Sequence, residues 1–550
     1  MTRRAFAIIA LVWLASTLLW LQPGLLIPDG AGYYAWLPST HLDRDLLFFD
    51  EWQRFGLIRG SEIRFKDVTP TDHLSNHWTA GSAMVWYPAF LLGSAAQALA
   101  PPLRQFPANG ISLPYNVPVV ATSALAGLAA LLIGAAIARR FAGERAAIVA
   151  AIAIWFGSPL LWYSLVSATM AHAIGAAVCA LVVLLALRLR DGATAERMFS
   201  LGLAIGLAVA VRPQNAPFAL VPLFLVPRDT WKAMLRKLPM LIAGGVLAAL
   251  PQLIASQAMY GGPLAFVNIG GAQRGNNWHP FERVWLLETL FSSYHGLFVW
   301  TPLVAVAIAG FVFLRRADRG LGDAAIAMFV AQWLINSLLD RTFWSGLSFG
   351  QRRFDNCTIF FLLGLAALFA RLPKWIGIAI AAAGSAWTLS LVFAARLLDL
   401  NAYQSLGELW QAQIAAMRTP HFGLFVFAPP AARWTILGLL VLTLAAAAAL
   451  ALLAKHIGDP RVASGLAAAY CVALAILFGV CARNDASHLA PWRPLIAANR
   501  ARPASGALDA ELQAMKAEYI YLRRIGRDEE AKETRSEAAA IAAAHGTTLH

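Results

Sequence analysis

Residues 117–138 read VPVVATSALAGLAALLIGAAIA, and Arg139 and Arg140 follow at once. An α-helix rises about 1.5 Å per residue, so roughly 20 apolar residues cross the 30 Å of a hydrocarbon layer. The segment has that length and carries no charged side chain. It predicts a membrane-spanning helix whose arginines mark its cytoplasmic end.

The same apolar pattern recurs along most of the chain. Further predicted spans lie at 5–26, 146–164, 170–188, 238–258, 293–314, 323–340, 356–370, 375–396, 433–454 and 463–481. The segment at 5–26 follows Arg3 and Arg4 without a small-residue cleavage site, which indicates an anchor rather than a removed signal peptide.

The composition of the 550 residues excludes several protein classes. Charged residues make up only 13%, too few to cover the surface of a water-soluble domain. Hydrophobic residues make up 59%, whereas a disordered chain has low hydrophobicity. The formal net charge of +14 would indicate a nucleic-acid-binding protein only if the basic residues formed one surface patch. In a membrane protein, basic residues in short cytoplasmic loops account for such a charge. The four cysteines stand in or beside apolar runs and do not have metal-ligand spacing.

The placement of the basic residues decides two ambiguous segments. Residues 198–226 form either one kinked helix or a hairpin of two short helices that meet at Arg212-Pro213, and residues 79–100 either span or lie along the surface. With a hairpin and a surface helix, nineteen basic residues fall into seven short loops on one side, as the positive-inside rule requires. We therefore predict an all-α polytopic protein of the cell inner membrane with about thirteen spans, the N-terminus cytoplasmic and the C-terminus periplasmic.

This topology divides the chain into two parts. Residues 1–481 form a transmembrane module, and its long outer loop at 27–116 holds eight acidic residues, so chemistry is expected on the outer face. Residues 482–550 form an outer tail with two predicted helices at 508–524 and 528–544. The tail is either a docking appendage or a mobile segment.

Asp29 is the leading catalytic candidate. It follows the first span in Pro28-Asp29-Gly30-Ala31-Gly32-Tyr33-Tyr34, near the outer interface, where partial desolvation makes a carboxylate a better base. The competing interpretation is a helix N-cap. Elsewhere in the loop, Asp72, His73 and His77 have spacing that a metal site can use, although a solvated loop is the simpler interpretation.

Three arginines are predicted near the outer face. Arg212 lies below the surface because helices of 13 or 14 residues reach only about 20 Å, so it needs a polar cavity or an acidic partner such as Asp340. Arg352 and Arg353 stand just outside a span, against the charge rule, and bind either ordinary headgroups or a lipid-linked phosphate. His172 and His295 begin spans at the outer side and are either substrate contacts or satisfied interfacial histidines. Walker-type loops, dinucleotide fingerprints, nucleophile elbows and zincin patterns do not occur.

Taken together, these features resemble the GT-C superfamily of membrane glycosyltransferases, in the polyprenyl-phosphate-sugar-dependent branch near protein mannosyltransferases and lipid A aminoarabinose transferases. The resemblance rests on a first span followed by a long outer loop headed by Asp29, a surface helix at 79–100, the run GLAVAVRP at 206–213, and thirteen spans. It covers about residues 1–480. The Lys-Pro-Pro pattern often found before the surface helix is replaced by Asn76-His77-Trp78-Thr79, and the tail has no counterpart.

The resemblance implies an inverting transfer of a hexosyl or pentosyl group from a polyprenyl-phosphate donor. Asp29 would be the base, the donor phosphate would be bound by Arg212, Arg352 and Arg353, and neither a metal nor another cofactor is expected. The acceptor is a glycan, a lipid or a protein, and no nucleic acid is involved. Further candidate substrate contacts are Tyr33, Tyr34, Asp50, Glu51, His77, His172 and His295. The alternative function is that of a transporter or a lipid-linked-sugar flippase.

Overall fold

The chain forms a helical bundle, and a single two-stranded hairpin, Ile58–Arg59 with Glu62–Ile63, occurs among the described residues. The computed structural model describes residues 2–25, 28–64, 66–265, 280–339, 342–344, 348–400, 402–418, 430–457, 459–501 and 506–547. The α-helices are α1 (Arg3–Trp20), α2 (Asp29–Pro38), α3 (Phe49–Arg54), α4 (Gly81–Leu99), α5 (Leu113–Gly157), α6 (His172–Arg188), α7 (Ala195–Val211), α8 (Val221–Leu225), α9 (Trp231–Arg236), α10 (Leu238–Tyr260), α11 (Glu288–Phe291), α12 (Leu297–Trp300), α13 (Pro302–Ala317), α14 (Arg319–Leu338), α15 (Thr358–Phe369), α16 (Lys374–Ala394), α17 (Leu406–Arg418), α18 (Pro430–Ile457), α19 (Pro460–His488), α20 (Arg493–Arg500), α21 (Gly506–Arg524) and α22 (Asp528–Ala544).

Several of these helices are long and apolar enough to cross a membrane, which confirms a polytopic all-α membrane protein. Within the described part of the chain eight helical segments meet this criterion, namely those in α1, α5, α6, α10, α14, α16, α18 and α19. The predicted spans 117–138 and 146–164 both lie in α5, which kinks at Gly143 where φ is +79°. The predicted number of thirteen spans stays a prediction.

The segment at 198–226 departs from the expected pair of α-helices. Its first arm is α7, which ends before Arg212 as predicted, but the chain then continues as a 3₁₀ helix over Pro213–Leu220 and one α-turn, α8. Proline lacks a backbone N–H and cannot propagate an α-helix, and Pro213, Pro217 and Pro222 interrupt this stretch. The break leaves Arg212 in an extended backbone conformation, and its N–H makes the last helical hydrogen bond, to the carbonyl oxygen of Ala208 at 3.1 Å.

Close backbone contacts through glycine hold the bundle together. A Cβ atom on Gly206 of α7 would lie 2.1 Å from the carbonyl oxygen of Gly245 in α10, and one on Gly310 of α13 would lie 2.2 Å from the carbonyl oxygen of Gly364 in α15. Small residues at helix crossings allow this approach, which compensates for the weak hydrophobic driving force between helices in lipid.

Residues 21–80, which we call the first loop, contact α4, α5 and the end of α19. α4 lies along the start of α5, where the Trp86 indole donates to Ser123 Oγ at 2.9 Å. The predicted boundary at residue 481 falls inside α19, because its last turns have partners in the first loop. Asp485 accepts from the backbone N–H of Leu46 at 2.8 Å and lies 2.9 Å from His73 Nε2.

Candidate functional site

The candidate site is built around Asp29, the first residue of α2. Pro28 precedes it, and α2 begins soon after the end of α1. A carboxylate in this position interacts favourably with the positive end of the helix dipole. One turn further on, a Cβ atom on Gly32 would lie 1.8 Å from the Trp78 ring, so only glycine allows this indole to pack against α2.

Arg352 is the direct partner of Asp29. The arginine begins the 3₁₀ helix Arg352–Cys357, and its Nη1 lies 2.8 Å from Asp29 Oδ2. The two side chains are 12% and 25% exposed. Burial lowers the pKa of Arg352, but Asp29 together with Tyr163 and Tyr33 more than offsets that effect, and the pKa is raised. The fold thus joins two of the predicted site residues in one partly buried ion pair.

Arg212 lies beside this pair in a polar cluster. Its Nη1 is 2.9 Å from His172 Nδ1, and its Nη2 donates to Gln214 Oε1 at 2.7 Å. His172, at the start of α6, also lies 3.5 Å from Asp355 Oδ2. The predicted polar surroundings of Arg212 are therefore present, and Asp340, its predicted acidic partner, lies outside the described residues.

Tyr33 lies near both arginines. It lies one turn after Asp29 on α2, and its side chain is hydrogen bonded with that of Arg212. Burial raises the pKa of its phenol, so Tyr33 is a neutral hydroxyl at neutral pH. Asp29, Tyr33, Arg212 and Arg352 lie close enough to influence one another electrostatically, and we call this group the Asp29 site.

Sequence reasoning missed two titratable members of this region, Asp355 and Lys66. Burial raises the pKa of Asp355 well above its usual range, against the opposing effects of Arg212 and Arg352. Lys66 is buried, touches His77 and stands 3.8 Å from the centre of the Trp78 ring. Asp355 lies three residues after Arg352 in the same 3₁₀ helix, whereas Lys66 reaches the site through contacts distant in sequence, which local motifs do not reveal.

The pKa of Lys66 is close to neutral pH. Burial lowers its pKa to about 7, and the nearby carboxylates of Asp29 and Asp67 act in the opposite direction. His77 is neutral under the same conditions because burial, followed by the charge of Lys66, lowers its pKa well below the usual value. The segment that replaces the Lys-Pro-Pro pattern therefore still has a lysine beside it, one supplied from upstream in the first loop.

The other predicted substrate contacts have different partners. The hydroxyl of Tyr34 donates to the carbonyl oxygen of Gly110 at 2.8 Å, and Glu51 contacts Arg54 at 3.3 Å in a group that includes Asp43. Burial raises the pKa of Asp50, which neighbours that same group. His295 Nε2 is 3.0 Å from the Leu400 carbonyl oxygen, and its ring stacks on Trp300. The backbone carbonyl of Arg353 accepts from Gln214 at 2.8 Å.

The three residues considered for a metal site are dispersed. Asp72 pairs with Arg500 at 2.5 Å, His73 faces Asp485, and His77 contacts Lys66. Among the residues that the structure describes, no group of three histidine, cysteine or acidic side chains is arranged to hold a metal ion. In the structure each member of this trio has a different partner, and the three side chains do not converge on one point.

Comparison with known proteins finds distant structural similarity alone. No protein-family model and no curated protein matches the chain. Among solved structures, ArnT from Cupriavidus metallidurans in the apo state is 18% identical with a TM-score of 0.43, over 87% of this chain and 76% of that chain. ArnT bound to undecaprenyl phosphate is 16% identical with a TM-score of 0.42, over 88% and 77% of the two chains.

The oligosaccharyltransferase AglB from Archaeoglobus fulgidus, in complex with an inhibitory peptide and a dolichol-phosphate, is also similar. It is 16% identical with a TM-score of 0.38, over 76% of this chain and 56% of that chain. At this distance, the roles of individual residues have to come from the contacts of the Asp29 site itself.

Proposed function

We propose that the protein is an inverting glycosyltransferase that moves a sugar from a polyprenyl-phosphate donor to an acceptor hydroxyl on the outer face of the membrane. The observation that carries the proposal is the Asp29–Arg352 ion pair at 2.8 Å, with Arg212 and Lys66 close by. A carboxylate supplies the base, and the cations supply the phosphate contacts, that such a transfer requires.

The charge balance of the site favours an anionic ligand. Arg352, Arg212 and, below about pH 7, Lys66 contribute positive charge. Asp29 pairs with Arg352 and Asp67 lies near Lys66, which leaves one positive charge in excess, whereas Asp355 has a pKa raised well above its usual range by burial. Buried cations are costly unless paired, so the surplus of positive charge is best satisfied by a bound phosphate.

The donor would rearrange the ion pair. Its phosphate oxygens compete for the Arg352 guanidinium, whose planar fork suits phosphate, and Asp29 is then released to face the acceptor. The acceptor oxygen attacks the anomeric carbon as its proton passes to Asp29. The bond from the anomeric carbon to the phosphate oxygen breaks, and polyprenyl phosphate leaves with one more negative charge. Fixed cations stabilise that developing charge in a poorly hydrated site.

The location of the site suits a donor that arrives through the bilayer. Arg212 follows the end of α7 and His172 begins α6, so the polar cluster adjoins apolar helices of the bundle. A lipid-linked donor reaches such a position laterally, without a nucleotide-binding domain. The outer-face assignment follows from the basic residues of the opposite loops. A hexosyl or pentosyl group is compatible with this chemistry.

The test uses purified protein in liposomes with tritiated sugars carried on undecaprenyl phosphate. A panel of hexoses and pentoses is offered with lipid, peptide and glycan fractions as acceptors, and nucleotide sugars serve as control donors. We expect a new glycosidic bond and release of undecaprenyl phosphate with a lipid-linked donor alone. Movement of the donor between leaflets without bond formation would instead establish the transporter alternative.

A further inference from the structure

The C-terminal helices α21 and α22 are docked on the bundle through an aromatic cluster. Tyr521 of α21 is buried at its centre. Its ring centre lies 5.3 Å from that of Trp344, 5.5 Å from that of Phe343 and 5.6 Å from that of Tyr403. Contacts at 5.9 Å with Trp285 and Tyr294 complete the cluster. Aromatic pairs at such separations contribute beyond the area that they bury.

Charged contacts around the cluster fix the orientation of the two helices. Glu518 is fully buried and accepts from Arg283 Nε at 2.6 Å, and the same guanidinium donates to Thr534 of α22 at 3.0 Å. Arg527, between the helices, pairs with Glu288 at 3.2 Å. A buried carboxylate requires its partner, so these contacts favour a specific docking of α21 and α22.

Two residues of the aromatic cluster, Phe343 and Trp344, are hydrogen bonded to residues that precede Arg352. The Phe343 carbonyl oxygen accepts from Gln351 Nε2 at 2.6 Å, and the Trp344 carbonyl oxygen accepts from Ser348 Oγ at 2.6 Å. Gln351 and Ser348 are themselves buried. Two hydrogen bonds therefore connect the backbone under Tyr521 to the residues that immediately precede Arg352.

A second anchor holds the same segment from the opposite direction. The backbone N–H of Phe349 donates to the Tyr163 hydroxyl at 2.8 Å, and its ring stacks on Trp162 at 4.8 Å. This anchor does not depend on the tail. Loss of the Tyr521 contacts would therefore loosen the segment without removing it, and the Arg352 guanidinium would lose its fixed position opposite Asp29.

We infer that Tyr521 is a positioning residue, and that α21 and α22 brace the segment that presents Arg352 to the donor phosphate. The inference rests on the proposed function for the identity of that ligand. The brace acts on binding, because Arg352 contacts the phosphate in the ground state as well as in the transition state. A misplaced guanidinium then raises the donor KM more than it lowers kcat.

The test compares Tyr521→Ala with Tyr521→Phe, which keeps the ring, and with Ile520→Ala, a matched change at a neighbouring side chain that is 43% exposed. We expect Tyr521→Ala to raise the donor KM about tenfold with kcat within about threefold, as expected for lost binding. Hydrogen exchange of the amides at 348–357 should accelerate in the same variant. Both control variants should match the wild type in the two measurements.

Either of two results would overturn the brace. Unchanged exchange at 348–357 in Tyr521→Ala would show that the tail does not order this segment, and faster exchange with an unchanged donor KM would show that its order does not matter for binding. If Tyr521→Ala fails to fold, Tyr403→Ala weakens the same cluster from outside the tail and is measured in its place. A wild type that transfers no sugar would refute the proposed function, whereas the exchange comparison decides the brace without turnover.

Discussion

Replacement of Arg352 by glutamine tests how the ion pair at the Asp29 site contributes to transfer. Glutamine removes the positive charge and keeps a hydrogen-bonding end. The pair joins Arg352 and Asp29 at 2.8 Å with 12% and 25% of the side chains exposed. Fully exposed pairs contribute about 0.2–1 kcal/mol to folding, and a broken buried pair costs about 3–5 kcal/mol. We therefore expect the free energy of unfolding to fall by about 1–2 kcal/mol, between those limits.

The effect on catalysis should be larger than the effect on stability. Removal of one fixed donor to a developing oxyanion costs about 10²–10³ in rate, and Arg352 is predicted to contact the leaving phosphate. We expect Arg352→Gln to lower kcat/KM by that factor, with Arg352→Lys intermediate because it retains charge but loses the planar fork. Initial rates over a range of donor concentrations measure both. If kcat/KM of Arg352→Gln stays within about threefold of the wild-type value, the assigned role is refuted, since a tenfold change corresponds to about 1.4 kcal/mol.

Three further predictions follow from other contacts. Lys66 has a pKa lowered by burial to about 7, so it loses its charge as the pH rises through 7, and the donor KM should increase between pH 6 and pH 8.5. The Lys66→Met variant should lack that pH dependence. A wild-type donor KM that does not change with pH would exclude Lys66 from donor binding. Gly81→Ala would place a Cβ atom 2.2 Å from the backbone nitrogen of Val211, and this overpacking should cost about 1–3 kcal/mol and lower the thermal unfolding temperature. A Cβ atom on Gly438 would have no neighbour within 4 Å, so the control Gly438→Ala should not lower that temperature. Equal effects of the two substitutions would contradict the packing of α4 on α7. A reporter fused after His488 should be periplasmic, and a cytoplasmic reporter would overturn the thirteen-span topology.

The sequence was most informative where a local pattern has a local physical cause. Apolar runs of about 20 residues identified most of the long helices, and Pro213 correctly predicted the end of α7. Asp29 could be singled out because it directly follows the first span. The 3₁₀ path after Pro213 was missed because the predicted second arm was assigned by hydrophobicity, which does not register the loss of backbone donors at prolines.

The composition of the site was less predictable because its contacts are long-range. The pairing of Arg352 with Asp29 and of Arg212 with His172 depends on how the helices pack, and no spacing in the sequence encodes it. Lys66 lies on an irregular part of the first loop, and its proximity to Asp29 follows from the packing of Trp78 against Gly32. For the same reason, the extension of α19 to Asp485 was missed, since its partners His73 and Leu46 lie at the other end of the chain.

The most direct test of the central claim is the rate of sugar transfer by Asp29→Asn at saturating lipid-linked donor. Asparagine keeps the size of the side chain but cannot take the acceptor proton, and loss of a general base costs about 10²–10⁴ in rate. We expect kcat to fall by that factor while undecaprenyl phosphate binds at least as tightly as to the wild type, because Arg352 no longer has a competing carboxylate. Glu62→Gln, at an exposed acid of the same loop, serves as the control and should transfer normally. Transfer by Asp29→Asn at the wild-type rate would contradict the account.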